Sequence, residues 1–251
     1  MRKPIIAGNW KMNKTADQAA QLIQELAALQ GAPNCDVVVC PPYVCIAAVK
    51  QAIEAYGLKA ELGAENLYFE EKGAYTGEIA ADMLCSVGVK YVIIGHSERR
   101  QYFNETDESV NKKVKVALAH GLIPIVCVGE TLAQREFGVT GELVALQTKI
   151  ALNGLTAEQV AGLVIAYEPV WAIGTGKTAT KQDANEVIGL IRAAVRGVFG
   201  DMAADAVRIQ YGGSMNAANA KELVAMPEID GGLIGSASLQ AKDFTTIIES
   251  C

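Results

Sequence analysis

Only two histidines stand in this chain, and its six cysteines, at positions 35, 40, 45, 85, 127 and 251, include no Cys-x-x-Cys pair. Ligands at metal-site spacing are therefore missing, and reduced, mostly buried thiols are the expectation. Long apolar runs are missing too. Leu122 to Val128 is among the longest and is strand-length, far short of the roughly 20 residues of a membrane span. Positive charge is in deficit: the net charge is −6 and the isoelectric point near 5.1. This disfavours nonspecific nucleic-acid binding, which needs clustered Lys and Arg, and leaves room for a small anionic substrate where positive potential is local. Near the start, Gly8, Asn9 and Lys11 interrupt any signal-peptide apolar core, so a cytoplasmic location is expected. Asn13-Lys14-Thr15 and Asn104-Glu105-Thr106 match the glycosylation pattern without a secretory signal to expose them to it. Glu65 to Glu70 looks like an altered protease tag site but lies deep in the periodic pattern and reads as native sequence.

What is present is a large apolar fraction, 51% of residues with 20% charged, which fits a compact globule. Short β-rich apolar runs recur at Pro4 to Gly8, Asp36 to Cys40, Lys59 to Ala64, Tyr91 to Gly95, Leu122 to Val128, Gly162 to Tyr167, Val207 to Tyr211 and Gly231 to Gly235. Helical spacing fills the intervals at Ala16 to Leu29, Ile46 to Tyr56, Ala80 to Val87, Asp107 to Ala119, Gly141 to Leu152, Lys181 to Phe199, Ala217 to Ala225 and Ala241 to Glu249. Strands apolar throughout, alternating with amphipathic helices, imply a parallel sheet covered by helices. A doubly wound sheet satisfies this as well as a barrel does. The count of eight, the even spacing, the length of 251 residues and the lack of a linker favour one closed (β/α)₈ barrel, a single domain over 1–251.

Polar residues sit just after the strands: Asn9 and Lys11, His96, Glu168, Ser214, and Ser236. A barrel would gather these carboxyl ends at one mouth. Glu168, between Leu163 to Tyr167 and Pro169-Val170-Trp171, is placed to be desolvated, which predicts a raised pKa suited to a general base. His96 stands where strand four gives way to a helix, whose amino terminus disfavours the imidazolium and favours a neutral hydrogen-bond donor. Lys11 and Asn9 would present an ammonium and an amide to developing negative charge. Ala172-Ile173-Gly174-Thr175-Gly176-Lys177-Thr178-Ala179 contains Gly-Lys-Thr, yet a Walker loop needs glycine where Trp171 stands, and a dinucleotide turn should follow its strand directly. A mobile lid with hinges at 169–171 and 177–179 fits better. Glycines 212, 213 and 235 beside Ser214 and Ser236 suggest a cup of amides for a phosphate.

Asn9-Trp10-Lys11, Gly95-His96-Ser97-Glu98-Arg99-Arg100, Ala166 through Gly176 and Tyr211-Gly212-Gly213-Ser214, in that order, closely resemble the triosephosphate isomerases, over about Pro4 to Phe244. The resemblance implies interconversion of dihydroxyacetone phosphate and D-glyceraldehyde 3-phosphate, in glycolysis and gluconeogenesis, without metal or organic cofactor. By that likeness Glu168 shuttles a proton between carbons, His96 polarises the carbonyl, and Lys11 and Asn9 stabilise the enediolate. Glu98 matches the family's supporting carboxylate near Lys11 and His96. Backbone amides of Gly174, Ser214, Gly235 and Ser236 would hold the phosphate, Ile173 and Leu233 would close over Glu168, and Tyr211 would latch the lid. Gly73-Ala74-Tyr75-Thr76-Gly77-Glu78 resembles a loop that enters a partner's site, implying a homodimer. Two positions depart from the family pattern: Ser236, where a glycine is usual and a Cβ adds strain if φ is positive, and Glu65, where glutamine is usual, which must be protonated or paired if buried.

The same sequence features admit two rival readings. Another phosphate-binding barrel enzyme, an epimerase or aldolase, would want a metal or a Schiff-base lysine after a middle strand. A non-catalytic binder that kept the barrel and the cup would have no use for Glu168, His96 and Lys11 together.

Overall fold

The computed structural model describes residues 2–173 and 179–251. Eight strands follow one another around a closed parallel barrel: β1 (Ile5–Asn9), β2 (Asp36–Cys40), β3 (Glu61–Ala64), β4 (Tyr91–Ile94), β5 (Ile123–Val128), β6 (Val164–Tyr167), β7 (Arg208–Tyr211) and β8 (Gly231–Ile234). All eight are where the apolar runs place them, β2 with the expected bounds and the others with ends moved by at most two residues. Closure is made by β1 against β8, in the register Ile5↔Gly231 to Gly8↔Ile234. At Gly231 φ is +129, and any Cβ there would overlap the Ile5 backbone, so this seam needs glycine.

The helices are α1 (Ala16–Leu29), α2 (Ile46–Tyr56), α3 (Ala81–Ser86), α4 (Ser97–Tyr102), α5 (Asp107–Ala119), α6 (Leu132–Glu136), α7 (Thr140–Ala151), α8 (Ala157–Gly162), α9 (Lys181–Ala206), α10 (Ala220–Val224) and α11 (Ala241–Ile248). The eight expected from periodicity are present; α4, α6 and α8 are additional, each too short to show a 3.6-residue period. Thr131 and Thr156 announce two of them, since each caps the helix amide three residues on while Gln134 or Gln159 reaches back to the threonine amide. The predicted end at Phe199 marks a real interruption: Gly200, at φ 82, breaks α9 before its last turn. Among the described residues no helix is long and apolar enough to cross a membrane.

Two apolar layers follow from the alternation of side chains along a strand. One residue set faces the lumen, including Ile5 and Ala7 of β1, Ile93 of β4, Val164 and Ala166 of β6, and Leu233 of β8. The next residue along, such as Ile6 or Ile165, packs outward under the helices. Continuing the inward set by one more step brings Asn9 after Ala7, Glu168 after Ala166 and Gly235 after Leu233. The period of two thus delivers polar groups from distant parts of the chain to the top of the lumen.

Candidate active site

A cavity of about 640 Å³ opens at the carboxyl ends of the strands, lined by Asn9, Lys11, His96, Glu98 and Glu168 on one side and by Ser214, Gly235 and Ser236 on another. Every catalytic and phosphate-binding candidate named from the sequence is therefore gathered here, except Gly174, which lies outside the described residues; Tyr211 is not among the lining residues. Ile173 and Leu233 line the same space. Its size suits a small phosphorylated ligand.

Glu168 sits at the end of β6, its amide donating to the Val128 carbonyl at 2.8 Å. A Cβ at Gly129 would overlap the Glu168 carbonyl oxygen, so the close approach of the β5 and β6 ends depends on that glycine. The carboxylate is 2% exposed and receives three donors: the Ser97 amide on Oε2 at 2.8 Å, the Ser97 hydroxyl on Oε1 at 3.2 Å and His96 Nε2 on Oε1 at 2.9 Å. The imidazole is 6% exposed. Its Nδ1 accepts from the Glu98 amide at 3.2 Å, which makes Nε2 the protonated nitrogen of the neutral ring. His96 is thereby the cap of α4 in place of a Ser or Thr, which is why the usual start signal for that helix is absent from the sequence.

These contacts overturn two electrostatic expectations. Burial does push the Glu168 carboxyl up, but the His96 ring, the Ser97 amide and the Lys11 charge together outweigh it and hold the group below its ordinary value. Burial likewise disfavours the His96 cation, yet the charge and hydrogen bond of Glu168 raise its pKa above the usual imidazole value. The helix terminus sets the tautomer; the adjacent carboxylate decides the direction of the shift. Glu168 is thus an ionised carboxylate whose oxygens accept from Ser97 and His96. Ser97 was not singled out in the sequence. The signal that marks it is its place as the first residue of a helix, where a free amide favours an anion.

Lys11 adopts φ 54, a left-handed conformation strained for a residue with a side chain, and its amide donates to Asn9 Oδ1 at 3.1 Å. Its ammonium meets Glu98 Oε1 at 2.6 Å. Glu98 is 40% exposed and only 3.6 Å from His96 Nδ1, so its firm partner is the lysine. A Cβ at Gly235 would touch Lys11 Cε at 3.8 Å, which puts the lysine side chain beside the end of β8. Ser236 opens a 3₁₀ turn, Ser236–Leu239, whose first amides border the cavity. Ser236 is not among the described residues with positive φ, so its side chain adds no backbone strain. Ser214 ties its loop to the neighbouring one through its hydroxyl, which donates to the Ala172 carbonyl at 3.2 Å. Tyr211 is buried beneath Gly213, where a Cβ would overlap its hydroxyl, and that hydroxyl has no hydrogen-bond partner among the described residues.

Glu65 lies behind Lys11. Desolvation raises its carboxyl to about 8, with the Glu98 charge adding to the rise and the Lys11 amide and charge opposing it; Oε1 has no hydrogen-bond partner. Among the described residues no three His, Cys, Asp or Glu side chains cluster as a metal site.

The family model for triosephosphate isomerase matches residues 4–251. The chain belongs to the triosephosphate isomerase family. The triosephosphate isomerase of Clostridium botulinum (strain Okra) is 59% identical over 248 residues, 99% of each chain. That of Clostridium perfringens is 58% identical over 248 residues, again 99% of each. That of Clostridium tetani is 55% identical over 248 residues, covering 99% of this chain and 96% of its own. In this member of the triosephosphate isomerase family the likeness runs through all eight strands, so the strand ends that build the cavity fall within the matched region.

Proposed function

We propose that this chain is a triose-phosphate isomerase, acting as one barrel domain over its whole length and interconverting dihydroxyacetone phosphate and D-glyceraldehyde 3-phosphate through an enediolate. The observation that carries the assignment of roles is the buried contact between Glu168 and His96, with the Lys11 ammonium at the edge of the same cavity. Glu168 is the base that moves the proton between the two carbons of the substrate. To reach carbon it must leave Ser97 and His96, and in doing so it exchanges three donors for a ligand in a dry site, which is the step that makes it more basic. His96 keeps Nε2–H aimed into the cavity and donates to the substrate oxygens. Lys11 and Asn9 stabilise the negative charge on those oxygens, and Glu98 positions the lysine. Amides at Gly174, Ser214, Gly235 and Ser236 hold the phosphate. Ile173 and Leu233 exclude water above Glu168, and Tyr211 secures the lid. The step belongs to glycolysis and gluconeogenesis, runs in the cytoplasm and uses no cofactor, nucleic acid or membrane.

The chain works as a homodimer in which the loop Gly73 to Glu78 enters the partner's mouth. Exposed apolar side chains at the β1 to β4 ends, Met12, Val44, Tyr75, Tyr102 and Phe103, support this, since such a grouping is unusual on an isolated soluble domain.

The proton route is tested by running the reaction in D₂O. A carboxylate that carries the proton exchanges it with solvent, so the aldehyde product is expected to contain deuterium on the carbon next to the carbonyl. Complete retention of the original hydrogen would indicate a direct shift between carbons and remove Glu168 from the role. Ser236→Gly is expected to change KM by less than about tenfold, because the amide is kept and the serine backbone is unstrained; a larger change in steady-state KM would mean that this cup binds phosphate differently.

A further inference from the structure

At the opposite end of the barrel from the cavity, two thiols meet that the chemistry at the mouth does not use. Cys35 immediately precedes β2, at the amino-terminal face of the barrel, and Cys251 follows α11. Both converge on one carbonyl: Ile248 accepts from Cys35 Sγ at 3.8 Å and from the Cys251 amide at 3.4 Å. The two thiols interact with each other as well. Their proximity lowers the pKa of Cys35 and raises that of Cys251. Cys35 is 3% exposed, whereas Cys251 is only partly covered and borders a small surface cavity of about 160 Å³ with Gln30, Pro33 and Thr245. Around the pair the charged groups are Lys3 and Asp36, themselves bridged at 2.6 Å, with Arg208 on the far oxygen of Asp36. The remaining cysteines differ: Cys40, Cys45 and Cys127 are buried and Cys85 is exposed.

We propose that Cys35 and Cys251 form a reversible thiol–disulfide site that clamps the start of β2 to the end of α11. The oxidant is a low-molecular-weight disulfide. Cys251, the reachable sulfur, gives up its proton and attacks it, and the small thiolate released takes up a proton; Cys35 then attacks the Cys251 sulfur of the mixed disulfide in the same way and releases the second small thiol. One disulfide bond is broken and one formed, the two protein thiols lose two electrons to the reagent, and their protons leave on the two small thiols. The resulting bridge closes a loop of roughly 200 residues, which restricts the unfolded chain while leaving the folded one as it is. Because it lies at the stability face rather than the catalytic one, it raises resistance to heat without altering turnover.

The test is to equilibrate the full-length protein with a graded ratio of oxidised to reduced glutathione and read intact mass, a proteolytic peptide map, Tm and triose-phosphate turnover. The expected result is loss of two hydrogens with the Cys35 and Cys251 peptides linked, a rise in Tm of several degrees that a thiol reductant reverses, and unchanged kcat. Cys251→Ser should abolish both the link and the rise. The proposal is overturned if glutathione remains attached to Cys251 unresolved, if another pair of cysteines links instead, if Cys251→Ser still loses two hydrogens, or if the linked protein melts where the reduced protein does.

Discussion

Glu168→Gln is expected to lower kcat for triose-phosphate isomerisation by roughly 10²–10⁴-fold, the usual contribution of a well-placed general base. The amide has the same shape and still accepts from Ser97, but it cannot take a proton from carbon. Phosphate binding by the amides near Ser214, Gly235 and Ser236 is untouched, so KM should move far less than kcat. A second readout separates lost chemistry from damaged structure. In the native protein the Glu168 charge is what lifts the His96 pKa against burial; with the charge gone, burial prevails and the imidazole titration followed by NMR should move down. Activity within tenfold of wild type would remove Glu168 from the base role. A large loss with no downward movement of His96 would mean that the 2.9 Å contact between the two does not persist in solution.

Glu65→Gln is expected to raise Tm at neutral pH by roughly 5–10 °C, from the relation between stability and melting temperature for chains of this size. The folded carboxyl holds its proton up to about pH 8 because of desolvation, against an ordinary value of 4.5. Between those two values the folded state binds more protons than the unfolded one, so stability falls as pH rises across the window. Near pH 7, at about 1.4 kcal/mol per unit, the penalty is on the order of 3 kcal/mol, reduced somewhat by the partial exposure of the residue. Glutamine keeps the shape and needs no proton. The gap in Tm between variant and wild type should therefore be small near pH 5 and widen towards pH 8. Parallel melting curves across that range would show that Glu65 is paired rather than protonated.

The barrel and much of the site were legible in the chain because both rest on local patterns. Apolar runs such as Asp36 to Cys40 and helical repeats such as Ala16 to Leu29 and Asp107 to Ala119 coincide with the observed elements. The residues that follow them were then assigned to the mouth by the barrel's own geometry. A helix after His96 is expected from the sequence, but its extent, Ser97–Tyr102, is not, because its cap is the imidazole of His96, a residue that ordinarily gives no such signal. Ser97 was missed with it.

Local alternation and the order of the elements were determined by the sequence alone: which segments extend, which coil, and that Asn9, Glu168 and Gly235 continue inward-facing rows. Tertiary structure decided which way the pKa values move. Desolvation by itself points Glu168 upward and His96 downward, and only their mutual approach, with Ser97 and Lys11, reverses both. It also decided that Glu65 sits desolvated behind Lys11 and that Cys35 meets Cys251. A pKa or a thiol pair depends on what surrounds a group in space, and those neighbours come from positions far apart along the chain, where no local pattern records them.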